Sequence, residues 1–377
     1  MAAACARNRH LVCLDERLLM RVLVVTCVHR ADDARVYQRQ IRQLVESGHE
    51  VVYIAPPFND PDAVAFEGVE HIEVPRAVGR RRVQSWRRVR AEVGRCRDGC
   101  DVMVVHDLEL TFVLRGTGRT PMVFDVKEDT PAAIADKAWL PSWAQAVASR
   151  VAARLERQAA RGHHLILAEY SYRDRLGDHP VVPNSTWIPD DEPLPPGHDV
   201  VYVGRISQGR GAETLLAVGR ALEPGRLLLI GDVDDDVRPA VEREVRSGAV
   251  RWTGFLPNPE ALRLVEGALA GLSLLRPEPN YVHSQPTKMV EYFARGVPVI
   301  TTPLPLAREL VERTCAGLVV PYDDPAAVVA AIYRLDNDLA LRTEMGANGY
   351  EAARAQFDWS RDGRAFVSLL EDVAASG

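Results

Sequence analysis

Short apolar runs alternate along this chain with longer stretches of helical period. Arg21–Cys27 (RVLVVTC) is a continuous β-branched run and predicts the first strand. Asp33 to Ser47 repeats its apolar residues at helical spacing (Val36, Ile41, Leu44, Val45) and stops at Gly48, a natural helix terminator. Val51–Ala55 reads as a buried strand closed by Pro56 and Pro57. Further strands are predicted at 69–74, 102–105, 122–124 and 165–168, with helices near 83–97 and 143–161. The segment 184–198 (NSTWIPDDEPLPPGH) holds four prolines and three acids and reads as an interdomain linker. Beyond it the alternation restarts, with strands at 200–203, 227–230, 250–253, 270–275, 297–301 and 317–320. Helices fall between them, and two more close the chain at 339–356 and 360–374. Strand–helix alternation of this kind predicts parallel sheets covered on both faces, here two doubly wound α/β domains. The expected divisions are an N-terminal extension over 1–19, a first domain over 20–185, a second over 199–356, and a closing helix over 357–377. Ligands in such folds bind outside the carboxyl ends of the strands, so the cleft between the two domains is the place to look.

Composition narrows the function. The chain has 377 residues and a net charge of -6, which disfavours a nucleic-acid-coating role. No apolar run approaches the roughly 18–20 residues that span a bilayer. The six cysteines are scattered, and Cys96 and Cys100 lack the spacing of a zinc site, so reduced thiols and a cytoplasmic chain are expected, with no metal. Only three of the 46 basic residues are lysines: Lys127, Lys137 and Lys288.

Several chemistries are excluded by their missing motifs. There is no phosphate-binding GxxxxGK[ST] loop, no GxGxxG after the first strand, no GxSxG and no HExxH. The acidic run Asp232–Asp236 reads as a solvated loop opening a helix. The strongest positive feature is Tyr202-Val-Gly-Arg-Ile-Ser-Gln-Gly-Arg-Gly211. Gly204 lets the chain turn close to a ligand, while Arg205 and Arg210 offer guanidinium groups suited to a diphosphate. The second feature is the segment 280–298 (NYVHSQPTKMVEYFARGVP). Pro286 suits the start of a helix, and Lys288 and Glu291 share one face of it. Glu291 can accept two hydrogen bonds from a ribose diol, or simply pair with Lys288 on the surface. A third feature is arginine-rich: 80–97 sets Val83, Trp86, Val89 and Val93 among eight arginines. This helix either packs its apolar residues on the sheet or seats the chain on anionic lipid.

In order and spacing these stretches resemble the retaining GT-B glycosyltransferases, specifically glycosyltransferase family 4 (group 1). The resemblance extends from Met20 through nearly the whole chain. It includes Asp33-Ala-Arg35, His106-Asp-Leu-Glu109, Phe124-Asp-Val-Lys-Glu-Asp-Thr-Pro131, the Gly204–Gly211 turn and the P-x-K-x-x-E-Y block at Pro286. Two positions depart from the pattern. His283 stands where an E-x7-E pair would have its first Glu, and Lys127 stands where related sequences show His.

The resemblance implies two Rossmann-like domains facing across a cleft. It implies transfer of a sugar from a nucleoside-diphosphate sugar to an acceptor hydroxyl with retention, for a cell-surface glycan or a secondary metabolite. The sugar nucleotide is a co-substrate, and no cofactor or metal is expected. Arg205, Arg210 and Lys127 are the expected catalytic groups. Gly204, Leu256, Ser284, Thr287, Lys288 and Glu291 fall on the nucleotide side, and Asp33, Arg35, His106, Glu109 and Glu128 on the acceptor or sugar side. The acceptor is a small or lipid-linked molecule, and the location is cytoplasmic, at or near the inner membrane face. Two alternatives are a nucleotide-sugar epimerase on the same fold and a degenerate nucleotide-sugar-binding subunit, the latter motivated by Lys127.

Overall fold

The computed structural model describes residues 19–60, 64–135 and 141–376. The expected extension over 1–19 lies outside them except for Leu19. Two six-stranded sheets organise the chain. The first is built from β1 (Arg21–Val25), β2 (Glu50–Ala55), β3 (Val69–Glu73), β4 (Val102–Val105), β5 (Met122–Val126) and β6 (His164–Leu167). The second is built from β7 (Val200–Val203), β8 (Leu227–Ile230), β9 (Val250–Trp252), β10 (Ala270–Ser273), β11 (Val299–Thr301) and β12 (Gly317–Val319). Strand order is β3-β2-β1-β4-β5-β6 in the first, and β12-β11-β10-β7-β8-β9 in the second. The two are the same winding, and their strand pairs are parallel. The chain is thus a two-domain Rossmann-like α/β protein.

Parallel strands covered on both faces must be apolar throughout, and these are. Val22 to Val25 and Val102 to Val105 are at most 1% exposed. Each sheet therefore separates two apolar clusters, one per face. Val89 and Val93 of the helix Arg82–Cys96 are fully buried, and Trp86 packs beside them. The core thus covers the Val89 and Val93 side of the arginine-rich helix, while Val83 at its start is 51% exposed.

Two departures from the expected pattern shape the cleft. The helix expected from 33 begins as a π-helical segment over Val36–Ile41 before continuing as α-helix over Arg42–Glu46. The wider turn places both Arg39 and Gln40 inside, at 2% and 1% exposure. The expected linker is not solvated at its start. Ser185 and Thr186 are buried, and Thr186 forms a parallel bridge with Asp358. From there the final helix, Trp359–Ser376, packs Trp359, Phe366 and Leu370 against Val22 and Tyr53 of the first domain. No helix among the described residues is long and apolar enough to cross a membrane.

In both sheets the winding reverses direction next to the first strand, between β1 and β4 and between β7 and β10. The loops leaving these strands splay apart there and leave a crevice. The candidate residues follow those strands.

Candidate active site

The second domain supplies a cationic pocket. After β7 the chain turns at Gly204 with φ of 116°, a conformation that favours glycine. A Cβ at Gly204 would lie 3.6 Å from Nη1 of Arg210 and 3.8 Å from Nζ of Lys288, so both cations border this turn. Gly211 (φ 78°) lets the next helix start against β10, where a Cβ would sit 2.3 Å from the carbonyl oxygen of Leu274. Arg210 donates weakly to the hydroxyl of Tyr281 at 3.4 Å. Lys288 lies 3.7 Å from the centre of the Tyr202 ring, and its ammonium has no hydrogen-bond partner among the described residues. Burial, reinforced by Arg210, drives the Lys288 pKa well below that of an ordinary lysine. Neither Arg210 nor Lys288 forms an ion pair among the described residues. Two cations at a backbone turn, with Glu128 and Glu291 acting on them only at a distance and no ion pair formed, are an arrangement suited to an anion.

Arg205 is set apart from this pair. Its guanidinium binds Asp234, and its side chain is 64% exposed. Lys288, not Arg205, accompanies Arg210 at Gly204. The acidic run is drawn into similar contacts, Asp234 with Arg205 and Asp232 with Arg30 at 3.2 Å. Thr287 opens the helix that carries Lys288 and Glu291. Ser284 donates to the carbonyls of Asn280 and Tyr281, and Leu256 packs on the domain core.

The first domain lines the opposite side. Lys127 follows β5 and pairs with Asp33 at 3.0 Å, with its side chain 7% exposed. Neighbouring Glu128 and Asp129 are not its ion-pair partners. Burial opposes the Asp33 charge, but Lys127 and His29 hold its pKa well below the usual carboxylate range. His29 bridges Asp107 (3.4 Å) and Asp33 (3.9 Å). Asp107 in turn accepts from the Thr26 hydroxyl and from the backbone N–H of Cys27 and Val28. It fixes the turn after β1. Glu109 is pushed up by burial and by the Asp107 charge, with Arg82 at 3.8 Å.

Arg35 and His106 prove to be framework. Arg35 donates to both oxygens of Asp125 at 2.9 and 2.8 Å, and to Val182 O and Asn184 Oδ1. It is 5% exposed and ties β5 to the chain leaving the domain. His106 is buried with Nδ1 3.2 Å from Asp125, which also accepts from Gln40. Both residues are engaged with Asp125, and His106 Nε2 has no hydrogen-bond partner among the described residues.

Several contacts across the cleft were not legible beforehand. Arg39 donates to Glu291 Oε1 at 2.8 Å, both side chains being at most 7% exposed, and Asn258 donates to the same oxygen at 3.1 Å. The Trp359 indole in turn caps the Arg39 carbonyl at 3.2 Å. Ser171 donates to the carbonyl of His283 at 3.0 Å, and Glu169 accepts from the N–H of Gln285 at 3.3 Å. Glu128 lies within electrostatic reach of Arg210. Arg39 and Glu169 gave no motif signal. Arg39 sits four residues past Arg35 and, on sequence spacing alone, is one more arginine on a helix.

Burial lifts the Glu169 pKa to about 7 despite the Gln285 N–H. A carboxyl raised in the folded state stabilises fully below its unfolded value near 4.5, and that contribution is lost as pH rises toward 7. The stability slope between those values should be on the order of 1 kcal/mol per pH unit. Urea melts from pH 4.5 to 8 test this; Glu169→Gln should flatten the profile, and an unchanged slope counts against the assignment.

Residues 197–338 match the family model described as "Glycosyl transferases group 1". A phosphatidyl-myo-inositol mannosyltransferase of Mycobacterium leprae is 29% identical over 191 residues, covering 48% of this chain and 48% of that protein. The chain thus spans about half the length of the curated relatives it matches. Among solved structures, sucrose-phosphate synthase from Thermosynechococcus elongatus superposes with a TM-score of 0.74 at 20% identity, over 95% of this chain and all of that one. The Anabaena protein Alr3699/HepE, solved with UDP and glucose, gives 0.70 at 15% identity, over 94% of this chain and all of that one. These two share the fold from end to end. Residues 197–338 are thus similar to the group 1 glycosyltransferases, and the chain has the two-domain GT-B fold of these solved structures.

Proposed function

We propose that the chain transfers a glycosyl group from a nucleoside-diphosphate sugar to an acceptor hydroxyl, with retention at the anomeric carbon. The observation that carries this reading is Arg210 and the unpartnered Lys288 ammonium side by side at Gly204, neither in an ion pair among the described residues. Buried cations without a counter-charge are costly, and a ligand that brings the anion removes that cost. A diphosphate supplies two linked anionic groups, one for each cation. The Anabaena neighbour's complex with UDP and glucose supports this donor class. The mycobacterial relative's name supports a lipid-linked acceptor over a free metabolite.

In this mechanism the bond from the anomeric carbon to the β-phosphate oxygen breaks, and its electron pair leaves on the phosphate. Arg210 and Lys288 stabilise that developing charge in a low-dielectric site. The acceptor oxygen bonds to the same face of the carbon, and its proton passes to the departing phosphate oxygen. No side-chain base is required. Lys127, held by Asp33 on the facing domain, contacts the donor sugar or its phosphate.

Incubation with a panel of nucleoside-diphosphate sugars tests the reading. Nucleoside diphosphate should be released only when lipid acceptor is added; donor turnover without acceptor overturns it. Lys127→Ala should lower kcat about 10–100-fold while nucleoside-diphosphate affinity stays within about twofold, because the nucleotide is held by the other domain. Wild-type turnover in Lys127→Ala removes Lys127 from the site.

A further inference from the structure

The helix Ser142–Gly162 carries an outer face that its place in the fold does not explain. Its inner face buries Ala152, Glu156 and Ala159, and Leu155 packs on the core. Opposite them, at i, i+4 and i+8, stand Trp143, Val147 and Val151, which are 72%, 52% and 50% exposed. The same face continues through Arg150, Arg154, Arg157 and Arg161, all exposed. None of the four forms an ion pair among the described residues. The helix's one acid, Glu156, is inside, paired with Arg175. A merely solvated helix mixes charges of both signs and keeps tryptophan out of water. This face is apolar at one end, purely basic at the other, and free of acids throughout.

We propose that this face docks the protein on an anionic lipid surface. Trp143, Val147 and Val151 enter the headgroup boundary, and the four arginines pair with lipid phosphates while their stems lie along the apolar layer. Charge complementarity is local. The chain as a whole is at -6 and is repelled by a negative surface at long range. Within a Debye length of roughly 8–10 Å the arginine row dominates. The position suits a lipid-linked substrate. Ser149 donates to the Pro131 carbonyl at 2.9 Å, joining this helix to the helix Thr130–Ala135. That shorter helix starts three residues past Lys127 and touches Pro279–Val282 of the second domain. Docking therefore puts the cleft mouth one helix away from the bilayer. The proposal stands on lipid binding, independently of the transferase reading.

Sedimentation of the full chain with phosphatidylcholine vesicles, with and without phosphatidylglycerol, tests it. Binding should require phosphatidylglycerol and weaken with added salt. Each arginine near the surface contributes about a fivefold factor, so Arg150→Gln with Arg154→Gln should cut partitioning about 25-fold. Trp143→Ser should lower it and abolish quenching of Trp143 by brominated lipid. All three side chains are exposed, so the variants should keep the parent melting temperature, which is measured alongside. Failure of the parent to bind anionic vesicles, or undiminished binding by the variants, overturns the proposal. If Trp143→Ser instead disrupts a dimer seen by sedimentation velocity without lipid, the face belongs to a second copy of the chain.

Discussion

Lys288→Met should make the ligand-free protein more stable and weaken its binding of a nucleoside diphosphate by about one to two decades. The two effects have one cause. The Lys288 ammonium is buried beside Arg210 with no hydrogen-bond partner among the described residues, so its charge is unfavourable until an anion arrives. A lysine whose folded pKa is depressed loses stability as pH falls from its unfolded value near 10.5 to its folded one. At neutral pH that loss is present, and methionine of similar length removes it, for a gain of about 1–3 kcal/mol. The lost charge-assisted contact costs about 1.5–3 kcal/mol of binding, or one to two decades in Kd. Binding by the parent should also take up a proton at pH values between the lysine's depressed ligand-free pKa and the higher pKa it has beside a bound anion. Calorimetry in buffers of different ionisation enthalpy reads that proton. A variant that binds UDP as well as the parent would falsify the anion-site assignment.

Breaking the Arg39–Glu291 pair should have the largest effect on stability. Both partners are buried, and the pair joins the first domain to the second. Removing one partner of a buried pair leaves an uncompensated charge and typically costs about 3–5 kcal/mol. Glu291→Gln keeps the shape and leaves the Arg39 guanidinium without its carboxylate. Burial already works against the Arg39 charge, so no other group compensates well. Arg39→Met together with Glu291→Met should be less destabilised than the sum of the two single changes. Glu291→Gln should also weaken nucleoside-diphosphate binding while leaving inorganic diphosphate nearly unaffected, if the carboxylate meets the ribose. Equal losses for both ligands would show that Glu291 acts through domain geometry alone. Denaturant melts and calorimetry on the three variants distinguish these outcomes.

The two sheets were legible because their signal is local. A run such as RVLVV has no polar face, so it must be a strand covered on both sides, and the helical stretches between such runs force a parallel winding. The Gly204 and Gly211 positions were legible for a related reason, since tight turns with positive φ favour glycine, and Gly211 also has no room for a Cβ against Leu274. Partner choice was not local. Arg205 and Arg210 look equivalent in the sequence, yet Asp234 holds one in solvent while the other borders Gly204 with Lys288. Arg35 matches a motif and turns out to be locked to Asp125. Arg39 matches none, and the π-helical turn beneath it directs it across the cleft.

The two arginine-rich helices make the same point. The sequence marked 80–97 as basic and amphipathic and 143–161 only as a helix, although both are rich in arginine. Packing buries Val89 and Val93 of one and leaves Trp143, Val147 and Val151 of the other in water. Periodicity specifies which residues share a helix face, because it depends only on the backbone repeat. Which of two opposite faces meets the core depends on how neighbouring elements pack, and that is settled by contacts between residues far apart in the chain. The sequence by itself therefore determined the strands, their winding and the glycine turns. The tertiary structure alone decided which charges are paired, which are left without an ion-pair partner among the described residues, and which apolar face remains uncovered.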